Sequence, residues 1–325
     1  MAKRILFAYP KLCFRGSFCG TAFILTGKGS VPKLPSPTPR ENNVKYAVCN
    51  ELFGDMALRK AAATLRAAGY GGIEFAPYTV FGDFSPAMIR NGVAGIAEAL
   101  AGEGLEFVGF HWLMVGPEPL HLTTTDESLR QRSLDHLRRL LDAAGELGGG
   151  VLILGSPKQR STAAGSDRVT ALKRLSEGLA RLGDHAVARG SRILLEALDS
   201  SQTDIVNTLA EAHALVEAIG SPGIGEMFDF HNVGDETDSW DALIRARGER
   251  IAHIHINEMD GRAPGTGASD YGPAFEALRE KNYKGWISME IFEKPVDPGA
   301  VVKEALRYLA EHDRTIFLPE NGLRK

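Results

Sequence analysis

The stretch IAHIHINEMDGR, Ile251 to Arg262, places His253 and His255 in an alternating run of isoleucine and alanine. An imidazole in an apolar strand costs free energy unless it has a hydrogen-bond partner, so the pair must serve something. Three carboxylates occupy comparable settings: Glu196 in LLEAL, Asp229 in MFDFHN and Glu290 in ISMEIFE. With His255 they form an oxygen-rich donor set suited to one hard or borderline divalent ion, Mn²⁺, Mg²⁺ or Co²⁺. Zinc stays open, although a thiolate-free, mainly carboxylate set points to higher coordination. Converging carboxylates repel one another unless a cation or proton lies between them.

A parallel sheet is what could bring these groups together. From Val44 onward short β-rich runs alternate with longer amphipathic segments, the pattern of βα units. The runs are VKYAVCN (Val44 to Asn50), GGIEFAP (Gly71 to Pro77), LEFVGFHWLM (Leu105 to Met114), VLILGS (Val151 to Ser156), RILLEAL (Arg192 to Leu198), IGEMFDF (Ile224 to Phe230), IAHIHIN (Ile251 to Asn257) and WISMEIF (Trp286 to Phe292). Helical patterns such as DMALRKAAATLRAAG and DIVNTLAEAHALVEAIG separate them, several ending in the Gly that a helix C-cap favours. Eight such units in about 270 residues predict an α/β fold, a (β/α)8 TIM barrel spanning residues 44–315. In that fold chemistry sits at the C-terminal ends of the strands. Polar residues late in the runs are Glu74, His111, Glu196, Asp229, His255 and Glu290, and the last four end runs five to eight. Alternation sends His253 and His255 to one face; His255 lies nearer the mouth and is the expected ligand, with His253 behind it.

Composition narrows the partners. The chain has 325 residues, 44% hydrophobic and 24% charged, enough to bury a large core. Its formal net charge of -4 offers no basic surface, so small-molecule chemistry is expected and nucleic-acid binding is not. Cys13, Cys19 and Cys49 have no CxxC spacing, which suggests a reducing, cytoplasmic setting. No apolar run approaches the roughly 20 residues of a membrane-spanning helix, so no membrane partner is expected. Residues 1–43 are basic and end in the proline-rich PKLPSPTPR; they are expected to be a disordered extension that adds nothing to the barrel, and 316–325 a C-terminal tail.

The spacings of 33, 26 and 35 residues between Glu196, Asp229, His255 and Glu290, with LLEAL, MFDFHN, HIHINEMDGRAPGTG and ISMEIFE around them, resemble the sugar phosphate isomerase/epimerase superfamily of xylose isomerase-like TIM barrels. Within it the resemblance is to ketose 3-epimerases of the D-tagatose and D-psicose type. It covers roughly Val44 to Leu309 and implies a metal-dependent isomerase acting on a small carbohydrate, with a homodimer and a homotetramer both open. In such enzymes Glu, Asp, His and Glu hold the ion, which would be Glu196, Asp229, His255 and Glu290. Glu196 and Glu290 would also act as catalytic acid and base on opposite faces of the substrate, passing a proton through an enediolate.

Departures from the family pattern bear on the substrate. The substrate-contacting Glu six residues after the first ligand is Gln202 here, a donor and acceptor where the family has an acceptor only. The family histidine after the Asp is His231, two residues on rather than three. The family arginine falls at Gly261 by strict count, and the neighbouring Arg262 inherits its role. His111, Trp112 and Glu74 complete the expected substrate contacts, the indole offering its face to sugar carbons. The loop GRAPGTGASDYG reads as a glycine turn or, alternatively, as a phosphate cradle. Other activities stay open: a lyase dehydrating an inosose-like or dehydroshikimate-like compound, a DNA-repair endonuclease barrel, or a binding barrel without catalysis. The acidic balance disfavours the endonuclease, and the complete ligand set disfavours the binding barrel.

Overall fold

The computed structural model describes residues 45–117 and 119–313; the N-terminal extension 1–43 and the tail 316–325 lie outside them. Eight strands follow one another in the chain: β1 Lys45–Cys49, β2 Gly72–Phe75, β3 Glu106–Phe110, β4 Val151–Leu154, β5 Arg192–Leu195, β6 Ile224–Asp229, β7 Ile251–Ile256 and β8 Trp286–Met289. Each pairs in parallel with the next, and β8 returns to β1 with Tyr46 opposite Ile287 and Val48 opposite Met289, closing the barrel. The expected (β/α)8 architecture is therefore the observed one.

Each β-rich run contains one strand but overshoots its C-terminal end. RILLEAL is a strand only to Leu195 and WISMEIF only to Met289. The cause is visible at the next residue, where Glu196 N still reaches the Leu154 carbonyl and Glu290 N the Ile256 carbonyl, each at a long 3.3 Å. Both glutamates thus stand one step beyond their strands, at the start of the loops around the mouth.

The helices begin where side chains satisfy their free N–H groups. Asp126 accepts from Leu129 N, Asp167 from Thr170 N and Thr208 from Glu211 N. The Thr208 cap starts its helix at Leu209, later than the periodic pattern from Asp204 suggests. Gly69 and Gly220 end their helices in the left-handed conformation that only glycine adopts cheaply.

Strand alternation divides the apolar residues into two clusters. Ile153, Leu194 and Met227 form a small one between β4, β5 and β6. Their chain neighbours Leu152, Leu154, Ile193, Leu195 and Phe228 belong to the large cluster shared with the helices. The small cluster has the parity of Glu196 and Asp229, so apolar side chains fill the barrel beneath the carboxylates. On the other side β2, β7 and β8 contribute the buried polar residues Glu74, His253 and Ser288.

Candidate active site

A cavity of about 430 Å³ opens at the C-terminal end of the barrel, within the range of small-molecule sites. Glu196, His255 and Glu290 line it, and Asp229 completes a cluster in which one potential ligand atom from each residue lies within 4.8 Å of all the others. All four are buried. Ligands around one ion of about 2.1 Å bond length must lie within roughly 4.3 Å of one another, so modest closure suffices. The donor chemistry agrees: Nδ1 of His255 is buried without a hydrogen-bond partner and faces Glu290 Oε2 at 2.9 Å. These residues fit a single divalent cation.

The neighbours orient each of the four residues. His255 turns its other nitrogen, Nε2, to Glu74 Oε1 at 3.0 Å, the carboxylate–imidazole pairing that fixes a metal-binding histidine. Glu74 also faces His253 Nε2 at 2.8 Å and His111 Nδ1 at 3.3 Å. Asn232 Nδ2 donates to both Glu196 Oε1 (3.1 Å) and Asp229 Oδ2 (2.9 Å), and the backbone N–H of His231 donates to Asp229 Oδ1. Trp112 Nε1–H donates to Glu290 Oε1 at 3.0 Å from a backbone with φ of 49°, a strained conformation for a bulky residue. Gly155 is required by close approach: a Cβ there would sit 2.2 Å from Glu196 Oε2.

The electrostatics are those of buried carboxylates crowded together beside one imidazole. Burial, then Asp229 and Glu290, push the Glu196 carboxyl well above its usual range. Burial and Glu290 raise Asp229. At Glu290 burial opposes ionisation, but His255 outweighs it and lowers the carboxyl. At His255 burial opposes the imidazolium, while Glu74 and Glu290 hold its pKa well above normal.

The expected substrate contacts separate into two groups. His111, Trp112, Gln202 and His231 line the cavity. His231 packs edge-on against Phe292, and Gln202 uses its amide N–H groups on Asp199 and Asn232, bracing the residue that braces Glu196. Glu74 and Arg262 are not in the lining. Glu74 is fully buried beneath the histidines, because strand alternation turns it into the barrel below the mouth. Arg262 folds back on Asp260, with Nε–Oδ2 and Nη2–Oδ2 both 2.8 Å. The glycine loop is not a free cradle either, since Gly265 N and Ser269 N already donate to the buried carboxylate of Glu258.

Three residues of this region escaped the sequence reading. Asn232 follows the DFH motif directly, Glu51 lies one residue past the first β-rich run and meets His111 Nε2 at 2.7 Å, and Arg160 is buried within the loop after β4. Only the first two carried a signal, their place at strand ends.

The family described as Xylose isomerase-like TIM barrel matches the chain over residues 62–312, and the chain belongs to that family. Among curated proteins it is 29% identical over 182 residues to L-ribulose 3-epimerase of Methylomonas sp., covering 54% of this chain and 62% of that one. It is 33% identical over 118 residues to D-psicose 3-epimerase of Agrobacterium fabrum, covering 36% and 41%. The chain thus spans less than two-thirds of either relative. The solved structure of 3-keto-D-glucoside 4-epimerase from E. coli superposes with a TM-score of 0.72 at 21% identity, over 83% of this chain and all of that one, a likeness of fold.

Proposed function

We propose that the protein is a metal-dependent sugar epimerase that moves a proton at the carbon beside a ketose carbonyl. The observation that carries this reading is the convergence of Glu196, Asp229, His255 and Glu290 at one cavity. A divalent ion held by these four residues would polarise the ketone and an adjacent hydroxyl, making the neighbouring C–H acidic enough for a carboxylate. Glu196 and Glu290 enter from β5 and β8, with β6 and β7 between them, so each has its own approach to a substrate in the cavity. One removes the proton and the other returns one to the opposite face, inverting the carbon. Trp112 holds Glu290 and Asn232 holds Glu196, so both carboxylates keep their aim through the transfer. The epimerase names of the relatives support the reaction class, and a cavity that sets Trp112 and Phe292 beside polar side chains suits a small carbohydrate.

The test is turnover in D₂O with a panel of ketoses after chelation and restoration with Mn²⁺ or Co²⁺. Deuterium should appear at the inverted carbon, and the chelated protein should be inactive. Glu290→Gln should lower kcat by at least about 10³-fold, because an amide can still offer an oxygen but takes no proton. Inverted product without deuterium would replace the two-base reading with hydride transfer, and product lighter by one water would make the protein a dehydratase.

A further inference from the structure

Exposed aromatic rings are few on this protein and gathered in one place. Among the described residues three large aromatics are exposed, Tyr78 at 42%, Trp112 at 39% and Phe292 at 49%, and all three line the cavity. They come from separate segments: Tyr78 from the one-turn helix Pro77–Val80 after β2, Trp112 from the loop after β3, and Phe292 from the loop after β8, two residues past Glu290. Phe292 meets the edge of His231, while neither Tyr78 nor Trp112 pairs with another ring among the described residues. Trp112 is also fixed, by its N–H to Glu290 and by its strained backbone, so its indole is a rigid platform beside that carboxylate. Apolar ring surface left open at a cavity is surface waiting to be covered.

Polar grip is scarcer. Gln202 commits its N–H groups to Asp199 and Asn232, Arg262 is held by Asp260, His111 Nε2 meets Glu51, and Glu74 lies below the mouth. Beyond the four clustered residues, Nδ1 of His231 is a buried polar atom without a partner. An open-chain ketose carries a hydroxyl on every carbon but one and would set most of them against rings. A pyranose instead offers a face of C–H groups to an aromatic ring while its edge hydroxyls reach the carboxylates. The cavity, about 430 Å³, is of the size that encloses drug-sized ligands, larger than a single sugar ring.

We propose that the substrate is a keto-glycoside, a sugar ring whose ketone lies off the anomeric carbon and whose glycosidic oxygen carries a second ring, sugar or aryl. The inference rests on the epimerase reading above and names its substrate. The keto ring lies over Glu196 and Glu290 with Trp112 against its C–H face, and the more exposed Tyr78 and Phe292 take the second ring. A free ketose closes on its own carbonyl; in such a glycoside the ring oxygen is already committed, so the ketone reaches the site open. One glutamate removes the proton from the carbon beside the ring ketone, the other returns one to the opposite face, and the glycosidic bond stays intact.

The experiment gives the Mn²⁺-loaded enzyme in D₂O a panel of D-fructose, D-tagatose and the methyl, phenyl and glucosyl 3-keto-D-glucosides of either anomeric configuration, with deuterium and configuration followed by NMR. The phenyl or the glucosyl compound should show kcat/KM at least about tenfold above the methyl one, which is what one aromatic stacking contact supplies, and the better of the two identifies the second ring. Tyr78→Ala and Phe292→Ala should each shrink that ratio, chiefly through a higher KM for the two-ring substrate. Equal kcat/KM for one-ring and two-ring glycosides, or a free ketose preferred to all of them, would overturn the proposal. Release of phenol would keep the substrate class and replace epimerisation by elimination, in which the proton is lost and phenoxide leaves. Should no compound exchange deuterium, the epimerase reading fails, and titration calorimetry with phenyl D-glucosides, which have no ketone, still decides the aromatic rim. Binding that Tyr78→Ala or Phe292→Ala weakens about tenfold supports it, and wild type that binds none of them overturns it.

Discussion

Asn232 joins two carboxylates that would otherwise repel. One amide nitrogen donates to Glu196 and Asp229 together, and Gln202 holds the amide oxygen at 2.7 Å, so the side chain has a single orientation. A glutamate in place of Gln202 could only accept, and would present an acceptor to the Asn232 oxygen. Gln202, which can donate, serves as a strut for Asn232. Asn232→Ala frees both carboxylates and is expected to lower Mn²⁺ affinity or kcat by about 10- to 100-fold with little change in Tm. Calorimetry and steady-state kinetics measure both, and a variant with wild-type values in each would show the strut to be idle.

At the scale of elements, β2 and β7 interlock through Glu74. Burial alone would raise this carboxyl, but His255, His253 and His111 together hold it well below its usual range. Glu74→Gln removes the charge facing three imidazoles. It should cost about 3 kcal/mol of stability, as breaking a buried ion pair does, and about 10- to 100-fold in Mn²⁺ affinity through His255. Urea unfolding at neutral pH together with metal titration reads both, and unchanged metal affinity would detach Glu74 from the site. The next strand pair depends on absence of a side chain. A Cβ on Gly109 would fall 2.1 Å from the Val151 carbonyl oxygen, where β3 meets β4. Gly109→Ala should destabilise the barrel by about 3 kcal/mol or prevent folding, and a wild-type urea midpoint would contradict that contact.

The whole molecule carries an acid sensitivity outside the carboxylate cluster. His136 is buried, donates from Nε2 to the Leu113 carbonyl at 2.8 Å and packs edge-on against Phe84. Burial pushes its pKa down to about 4. An unfolded histidine titrates near 6.5, so between those values the unfolded chain binds a proton that the folded one does not. The stabilisation is complete above about pH 6.5 and is lost as pH falls toward 4, by on the order of 3 kcal/mol. Urea midpoints across that range should drop less steeply in His136→Gln than in wild type, and parallel curves would rule out His136 as the source. Among the described residues no helix is long and apolar enough to cross a membrane.

Periodicity and spacing determined the barrel, the convergence of Glu196, Asp229, His255 and Glu290 and most of the cavity wall, because a strand-end residue in a parallel barrel has only one place to go. His111, Trp112, Gln202 and His231 were legible for that reason, and so was the place of His255 in the cavity wall with His253 out of it. Depth was not legible. Glu74 ends its run as Glu290 does, yet the three-dimensional register buries it beneath the imidazoles instead of at the mouth. Arg262 stood one residue from a family position, and a short-range pairing with Asp260 took its charge elsewhere. Arg160 carried no sequence signal at all, since a charged residue four past the end of a β-rich run reads as solvent-facing. Only the packing of the β4 and β5 loops encloses it, and pattern along one strand does not register contacts between two.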